Sequence, residues 1–496
     1  VLPEFYRNRD FTPAWNDLSG LNGLLRAIQA SAADGLDPRD YHFFLIQARL
    51  KEKGVSSAQR AELDVLATDA AIRLGYHLLF GKVDPERLDA DWNMARKGTD
   101  FQPVARLQEA IDSGRVYEML DEFKPKHPFY GRLKQALAKY RAIEAEGGWE
   151  PIPVGRTLKK DESDPRVPAI RRRLALSGDL PSNTEGSRSD LFDEALQTAV
   201  RRFQVRHGLH ADGVLGGTTV EAMSVPVQRR IDQIRVNLEC ARWVLHDVGD
   251  KLVMVNIAGF ELYLARDGRR QWETRVQVGK PYRKTPIFKS EIRYVVLNPT
   301  WSVPPTVLAA DILPAIKRNP SYLQTHRLRV IDGNGKVVNP AQVKWSAYTA
   351  KNFPYRLEQE AGPQNALGRI KFMFPNQYSV YLHDTPKKEL FRHSARAFSS
   401  GCIRVEDPLR LAELLLDDPG KWNRTRIDQA VATGKTVTIH LDRPVPVLLL
   451  YWTAASDPDG QVDFLPDIYG RDATVLKALN GEFRYRKRPV RVAKSQ

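Results

Sequence analysis

Cysteine is nearly absent from this chain, with two in 496 residues, Cys240 and Cys402. That excludes a small disulfide-stapled architecture, although low cysteine use decides nothing about the redox compartment. Long apolar runs are missing too. The longest, Val445 to Trp452, contains Pro446 and falls far short of the ~20 residues a membrane-spanning helix needs. Metal-type spacings are also lacking: there is no Cys-x-x-Cys and no His-x-x-x-His, so a zinc site from His383, His393 and Cys402 has no support in the spacing. Neither a zinc finger nor an RNA-binding signature nor an aromatic-interleaved basic run is present.

Positive charge is plentiful. The formal net charge is +15, which suits an anionic partner such as nucleic acid, acidic lipid headgroups or a polyanionic cell wall. Apart from Arg171-Arg172-Arg173 and the tail Arg484 to Lys494, the basic residues are dispersed. A generally basic envelope protein with no nucleic-acid partner is the better reading. Apolar content of 42% and charged content of 27% are those of a globular protein, and 496 residues favour two to four domains. The chain opens on Val1 rather than methionine. That reads as a processed or trimmed start, any secretion signal or membrane tether having gone with the missing end.

The period of the pattern divides the chain. Residues up to about 145 are helical in character, with an amphipathic series Leu21 to Ala30 and a long Pro-free one Ala58 to Phe80. His42, His77 and His127 stand isolated there. Glu146 to Pro153 breaks both helix and strand and reads as a linker. Two short helices follow, Val167 to Leu176 and Phe192 to His207, with a polar loop Pro181 to Asp190 between them, and a third helix starts at Thr218. Phe203 and Leu209 are expected in the core of that module, with Asp212-Gly213 as the turn before its last helix. Cys240 lies on a helical series (Ile231, Ile234, Leu238, Ala241, Leu245) and reads as a small, partly buried apolar residue.

From Lys251 the period changes to two. Val253, Val255 and Ile257 start a β-meander continuing through Phe260 to Ala265 and Gln271 to Val278, with more strands at Arg293 to Leu297, Ile370 to Phe374 and Tyr378 to Leu382. Residues 300–368 interrupt them with Pro304-Pro305, a helix near Thr306 to Lys317 and a polar stretch, an insertion expected to serve as a lid. Asp407-Pro408 opens a helix to Leu416, and two β-like runs, Thr436 to Leu441 and Val445 to Thr453, precede the tail.

The chemistry concentrates in Phe398-Ser399-Ser400-Gly401-Cys402-Ile403-Arg404-Val405, downstream of Tyr381-Leu382-His383-Asp384. A thiol attacks only as thiolate, which requires a base or a positive field. His383 ending one strand and Cys402 following a loop can meet on adjacent strands. Gly401 allows close approach to a substrate carbonyl, and the amides around Gly401 and Cys402 are candidate oxyanion donors. In an extended run Arg404 shares the face of Cys402 and can bind an acidic group.

Ser399-Ser400-Gly401-Cys402-Ile403-Arg404 after His383 resembles the L,D-transpeptidase (YkuD) catalytic domain. Phe260-Glu261-Leu262-Tyr263-Leu264, Val278-Gly279-Lys280, Thr285-Pro286 and Asn298-Pro299-Thr300-Trp301-Ser302-Val303-Pro304-Pro305 agree with it. Ala199-Val200-Arg201-Arg202-Phe203-Gln204 with Gly208-Leu209 and Asp212-Gly213 resembles the three-helix peptidoglycan-binding domain, a helical spacer being the alternative. Together these make the chain similar to the large multidomain L,D-transpeptidases of Gram-negative envelopes. One departure stands out: much of the family has His immediately before the Gly-Cys pair, whereas this chain has Ser400. The large envelope subclass resembles this Ser-Ser-Gly-Cys form, so the departure narrows the subclass.

The resemblance implies a multidomain α+β protein. Its parts would be a helical scaffold (1–155), a peptidoglycan-binding-like module (160–228), a connecting helix (229–248), a mostly β catalytic domain (249–445, with the insertion 300–368), and a C-terminal β extension with a basic tail (446–496). It implies Cys402 as nucleophile, His383 as base and Asp384 as its orienter, with Gly401 and Ser400 in the site. Arg404, Tyr381, Trp301 and Ser399 are candidate substrate contacts. The reaction implied is acyl transfer without cofactor or metal, from a peptidoglycan tetrapeptide stem through a Cys402 thioester to a diaminopimelate amine. Carbapenems are the expected covalent inhibitors, other wall-synthesis enzymes possible partners, and the periplasm of a Gram-negative bacterium the expected location. D-alanine removal, lipoprotein attachment and a non-catalytic wall-binding scaffold are the alternatives. The order His then Cys disfavours papain-like peptidases, and the short interval between them disfavours sortases.

Overall fold

The computed structural model describes residues 1–88, 92–94, 102–181, 189–246 and 248–483. Most of the loop expected at 181–190 and the basic tail from Arg484 lie outside the described residues. The chain divides into two units. One comprises 1–90, 95–248 and 453–496; the other comprises 91–94 and 249–452.

The first unit is helical. Leu18–Ala30 presents Leu21, Leu24, Ala27 and Ile28 on one buried stripe. Ser57–Phe80 starts at a capping box in which Ser56 and Gln59 satisfy each other's amides. Val227–Val244 carries, inside the core, the Glu239–Arg242 ion pair; Arg242 also donates to the Asp34 carbonyl at 2.7 Å. Removing one partner of such a fully buried pair typically costs about 3–5 kcal/mol, because the other charge is stranded. The small module packs Val167–Ser177, Glu194–Arg206 and Gly217–Met223 around Phe203, Leu174 and Phe192. Leu215 fills the core position expected of Leu209, which is only half-buried. The Asp212-Gly213 turn is present: Gly213 has φ +73, and Gln204 accepts its amide while donating to Asp212 and Val214. Residues 453–480 belong to this unit as a hairpin (Ala454–Ser456 with Val462–Phe464) and a helix Asp472–Asn480. Among the described residues no helix is long and apolar enough to cross a membrane.

The second unit is a closed sheet. Its strands are β1 (Lys251–Asn256), β2 (Glu261–Arg266), β3 (Arg269–Gly279), β4 (Ile287–Leu297), β5 (Ile370–Met373), β6 (Leu382–His383), β7 (Ala397–Ser399), β8 (Ile403–Val405) and β9 (Val437–Leu450). They run β4-β5-β6-β8-β3-β2-β1-β9, and β9 returns to pair with β4, so the ring has no free edge along this path. β6 pairs β8 in parallel and β9 pairs β1 in parallel; β7 adds to β3. Trp92–Asn93 joins the edge of β4. The two β-like runs expected at 436–453 form one strand instead. A bulge between His440 and Val445 absorbs the irregularity around Pro444 and Pro446. The strand expected at Tyr378 is a turn: Asn376 accepts the amides of Tyr378 and Val380, and Ser379 takes φ +55. Pro408–Leu416, capped by Asp407, turns Leu409, Leu411, Ala412 and Leu415 inward.

The insertion between β4 and β5 is a subdomain with its own core, built from Ile312, Leu313, Ile316, Leu328, Val330 and Leu357. It has four short strands, Trp301–Ser302, Leu328–Ile331, Val337–Val338 and Arg356–Gln359. The expected helix runs from Pro305 to Arg318 but widens to a π turn at Leu308–Ile312. Pro314 has no N–H to return to the carbonyl four residues earlier, which gives the widening a physical cause.

Candidate active site

Cys402 closes the turn between β7 and β8. Buried Ser399 holds the turn from inside: its hydroxyl donates to the Cys402 carbonyl at 2.5 Å and accepts the Gly401 amide at 3.1 Å. Gly401 has φ +116, a backbone region in which a side chain is strained. From the segment joining β3 to β4, buried Thr285 donates to the Gly401 carbonyl and accepts the Gly279 amide, both at 2.9 Å. Gly279 is glycine for space, since a Cβ there would lie 2.1 Å from the Arg283 carbonyl.

His383 is placed by its neighbour. Its Nδ1–H donates to the Asp384 carbonyl at 2.5 Å, which fixes the tautomer and leaves Nε2 as the proton acceptor. Asp384 is held in turn: its amide donates to the Ile370 carbonyl at 2.9 Å, its Oδ2 accepts the Arg369 amide at 2.9 Å, and the Lys388 ammonium lies 2.6 Å from Oδ1. Burial would raise that carboxyl, but Lys388 and the amide hydrogen bonds outweigh it and hold it below the usual range. Asp384 therefore orients His383 through its main chain, while its carboxylate anchors the segment.

The sheet register collects the charges. Lys371 on β5 pairs His383 on β6, His383 pairs Arg404 on β8, and Arg404 pairs Gln277 on β3. Directly paired residues share a face, so these four side chains form a row. The Ile403 amide donates to the Tyr381 carbonyl at 3.0 Å, which sets Cys402 beside Tyr381, one row away. Burial first, then Arg404 and Lys371, push His383 down to about 3, so the imidazole is neutral throughout the ordinary pH range. Burial pushes the Cys402 thiol up, opposed by the Tyr381 amide, Lys371 and Arg404. The resting pair is thus thiol and imidazole, with the thiol donating weakly to the Ser379 carbonyl at 3.7 Å. A neutral base, a nucleophile on the same face and two cations beside them are what thiol acyl transfer requires. Among the described residues no three His, Cys, Asp or Glu side chains cluster as a metal ion would need.

Residues 250–440 match the L,D-transpeptidase catalytic domain family. The chain carries an L,D-transpeptidase catalytic domain. Residues 163–223 match the family described as "Putative peptidoglycan binding domain", and residues 1–137 match a scaffold domain. A Haemophilus influenzae protein named "Putative L,D-transpeptidase" is 41% identical over 223 residues, which is 45% of each chain. The match therefore spans less than half the length of that relative. Two solved structures are also similar. An L,D-transpeptidase from Xylanimonas cellulosilytica has 14% identity, covering 60% of this chain and 99% of its own, at a TM-score of 0.19. One from Stackebrandtia nassauensis has 13% identity, covering 59% and 94%, at a TM-score of 0.24. At such scores neither bears on the argument.

Within the transpeptidase domain the expected residues separate. Cys402, Gly401, His383, Asp384, Arg404 and Tyr381 come together; Lys371 lies over the Tyr381 ring at 3.7 Å, and Arg404 donates to Gln277 at 3.2 Å. Ser400 is exposed and accepts from Arg283 at 2.8 Å. Ser399 is corrected: its hydroxyl is buried and engaged within the turn, so it shapes the loop and offers nothing to a substrate. Trp301 packs against the core of the inserted subdomain and pairs Gln359, which makes it a packing residue there. Sequence reasoning missed Lys371, Ser379, Arg283 and the bridging role of Thr285. Only Thr285 had a signal, as part of the Thr285-Pro286 resemblance.

Proposed function

We propose that the chain is a cysteine L,D-transpeptidase that forms 3→3 peptidoglycan crosslinks. The observation that carries this reading is the neutral His383, its Nδ1–H fixed on the Asp384 carbonyl and its ring on the face shared by Cys402. Cys402 attacks the carbonyl of the third stem residue, diaminopimelate, as His383 Nε2 takes the thiol proton. Terminal D-alanine leaves with a proton and a thioester remains. The side-chain amine of a second stem then attacks, His383 accepts its proton, and the thiol is restored as the new amide forms. Lys371 and Arg404 stabilise the negative charge that develops at sulfur. The peptidoglycan-binding module and the basic surface support a wall-bound enzyme of a Gram-negative envelope.

Mass spectrometry of products from a purified tetrapeptide muropeptide tests the reading. A 3→3 dimer is expected. Tripeptide alone would make it an L,D-carboxypeptidase, with water as acceptor, and no reaction would overturn both. Carbapenem incubation should add one drug mass to the protein and none to Cys402→Ala; equal labelling of that variant would reassign the nucleophile.

A further inference from the structure

Arg283 lies in the turn Lys280 to Pro286 between β3 and β4, and that turn is laced to the nucleophile loop at several points. The Lys280 amide donates to the Ser399 carbonyl at 3.0 Å, Thr285 holds the Gly401 carbonyl, and the Arg283 guanidinium donates to the Ser400 hydroxyl at 2.8 Å. Asp311, from the π turn of the inserted subdomain, takes both terminal nitrogens of the guanidinium, Nη1 being shared with Ser400. Nη2 reaches Oδ1 at 2.9 Å, and Nη1 bonds Oδ2, giving a two-pronged fork. This fork is the arrangement in which arginine recognises any carboxylate.

The pair is not part of a core. The Arg283 side chain is 22% exposed and that of Asp311 46%. An ion pair so open to water contributes little, typically under about 1 kcal/mol, so a competing carboxylate exchanges with Asp311 at small cost. Lys280 adds positive potential at the same place and Tyr282 lies exposed beside it. Ser400 completes the arrangement. Where much of the family has an imidazole, this chain has a small hydroxyl that accepts one N–H of Nη1 and leaves the fork its carboxylate partner.

We propose that Arg283 is a receptor for a carboxylate of the substrate peptide, and that Asp311 of the inserted subdomain occupies it until that carboxylate displaces it. Binding of an acidic peptide then releases the subdomain from the nucleophile loop, which couples substrate charge to access. This rests on the reading of the substrate as a wall stem peptide, which carries several carboxylates.

The test reads binding, not turnover. Cys402 in the full chain is alkylated with neutral iodoacetamide, followed by mass spectrometry, in the presence of the tripeptide L-Ala-γ-D-Glu-meso-diaminopimelate, which has no bond to cleave, or of its fully carboxamidated form. The free acid should protect Cys402, with the carboxamide about tenfold weaker, the loss of one charge-assisted pair. In Asp311→Asn the half-protecting concentration of the acid should fall about threefold to fivefold, with the carboxamide unchanged. In Arg283→Gln the two peptides should protect equally. An acid preference that survives Arg283→Gln, no gain in Asp311→Asn, or no protection by the acid in wild type and Asp311→Asn alike would each overturn the proposal. If Arg283→Gln fails to fold, Asp311→Asn against wild type decides, since Asp311 is half-exposed. The charge-dependent pattern without muropeptide transfer would leave the receptor standing and remove the transpeptidase reading; transfer without the pattern would do the reverse.

Discussion

The helical unit and the closed sheet each contain one cysteine and at least one buried, neutral histidine, yet the surroundings of the two cysteines differ. His207 donates Nδ1–H to the Phe203 carbonyl at 2.7 Å, stacks on Phe203, and is pushed well below its ordinary range by burial and by Arg230 and Arg206. His383 is treated almost identically, with a carbonyl acceptor on Nδ1, burial, and two cations nearby. A depressed imidazole therefore does not mark a site. The cysteines differ in the sign of the field around them. Cys240 is raised by burial and then by Asp472 and Glu239, each of which outweighs the opposing Arg242 and Arg471, so the balance around it disfavours the thiolate. Cys402 is raised by burial but opposed by Lys371, Arg404 and the Tyr381 amide, all of which favour the thiolate. The balance of the field distinguishes the two thiols.

The largest effect that can break this contrast comes from removing the sulfur atoms in turn. Cys402→Ala should lower transpeptidation by about 10⁴-fold or more, while Cys240→Ala should stay within about twofold. Product formation from a tetrapeptide muropeptide measures both. Activity retained without Cys402 would place the chemistry elsewhere in the chain.

Next in size is the base. His383→Gln should cost about 10³-fold in the acylation rate, within the range for losing a positioned proton acceptor. His207→Gln should leave that rate unchanged, although its ring is equally neutral. The same experiment carries a pH signature. Because the Cys402 thiol is raised and His383 is depressed to about 3, no thiolate–imidazolium pair exists at rest, and iodoacetamide alkylation of Cys402 should climb past pH 9. A plateau reached near pH 5 would reveal a preformed ion pair instead.

How much of this was legible beforehand depends on whether a residue's role is local. The rarity of cysteine and the Ser-Gly-Cys-x-Arg run pointed to Cys402, and alternation pointed to β1 through β5. Lys371 was invisible because Ile370-Lys371-Phe372 reads as one ordinary solvent-facing lysine in a strand. Only the register that pairs it with His383 brings its charge to the thiol. Ser379 was read as strand because nothing in a serine announces φ +55; the cause is the Asn376 side chain, which takes over the backbone partners of that turn. Leu209 was assigned to a core that Leu215 fills, since helical spacing does not say which side of a turn folds inward. Ser399 and Trp301 had the right composition for a cleft but are committed to packing within their own segments.

A smaller effect sharpens the contrast through stability. His77 and His207, both buried in the helical unit, are depressed well below 6.5. A group whose folded value is depressed stabilises the fold above its unfolded value, and that contribution is lost as pH falls from about 6.5 toward the folded value. Denaturation of the helical unit should therefore become easier for each such histidine as pH falls from about 6.5 toward about 4. His207→Phe, which keeps the stack on Phe203, should flatten that slope in urea titrations. An unchanged slope would mean that His207 does not stay neutral in the fold.

The smallest effect tests the field directly. Lys371 faces His383 across the sheet, lies over Tyr381, and favours the Cys402 thiolate. Lys371→Met keeps the length and the apolar stem but removes the charge. The thiol should then titrate higher still and His383 move back toward its ordinary value, since Lys371 acts to lower it. At pH 7 the alkylation rate of Cys402 should fall several-fold, because less of the thiol is ionised. With rising pH the variant and wild type should converge, as both thiols become ionised. Convergence would identify lost field as the cause, whereas a deficit that persists at high pH would show that Lys371 shapes the turn around Cys402 and that charge sign does not distinguish the two cysteines.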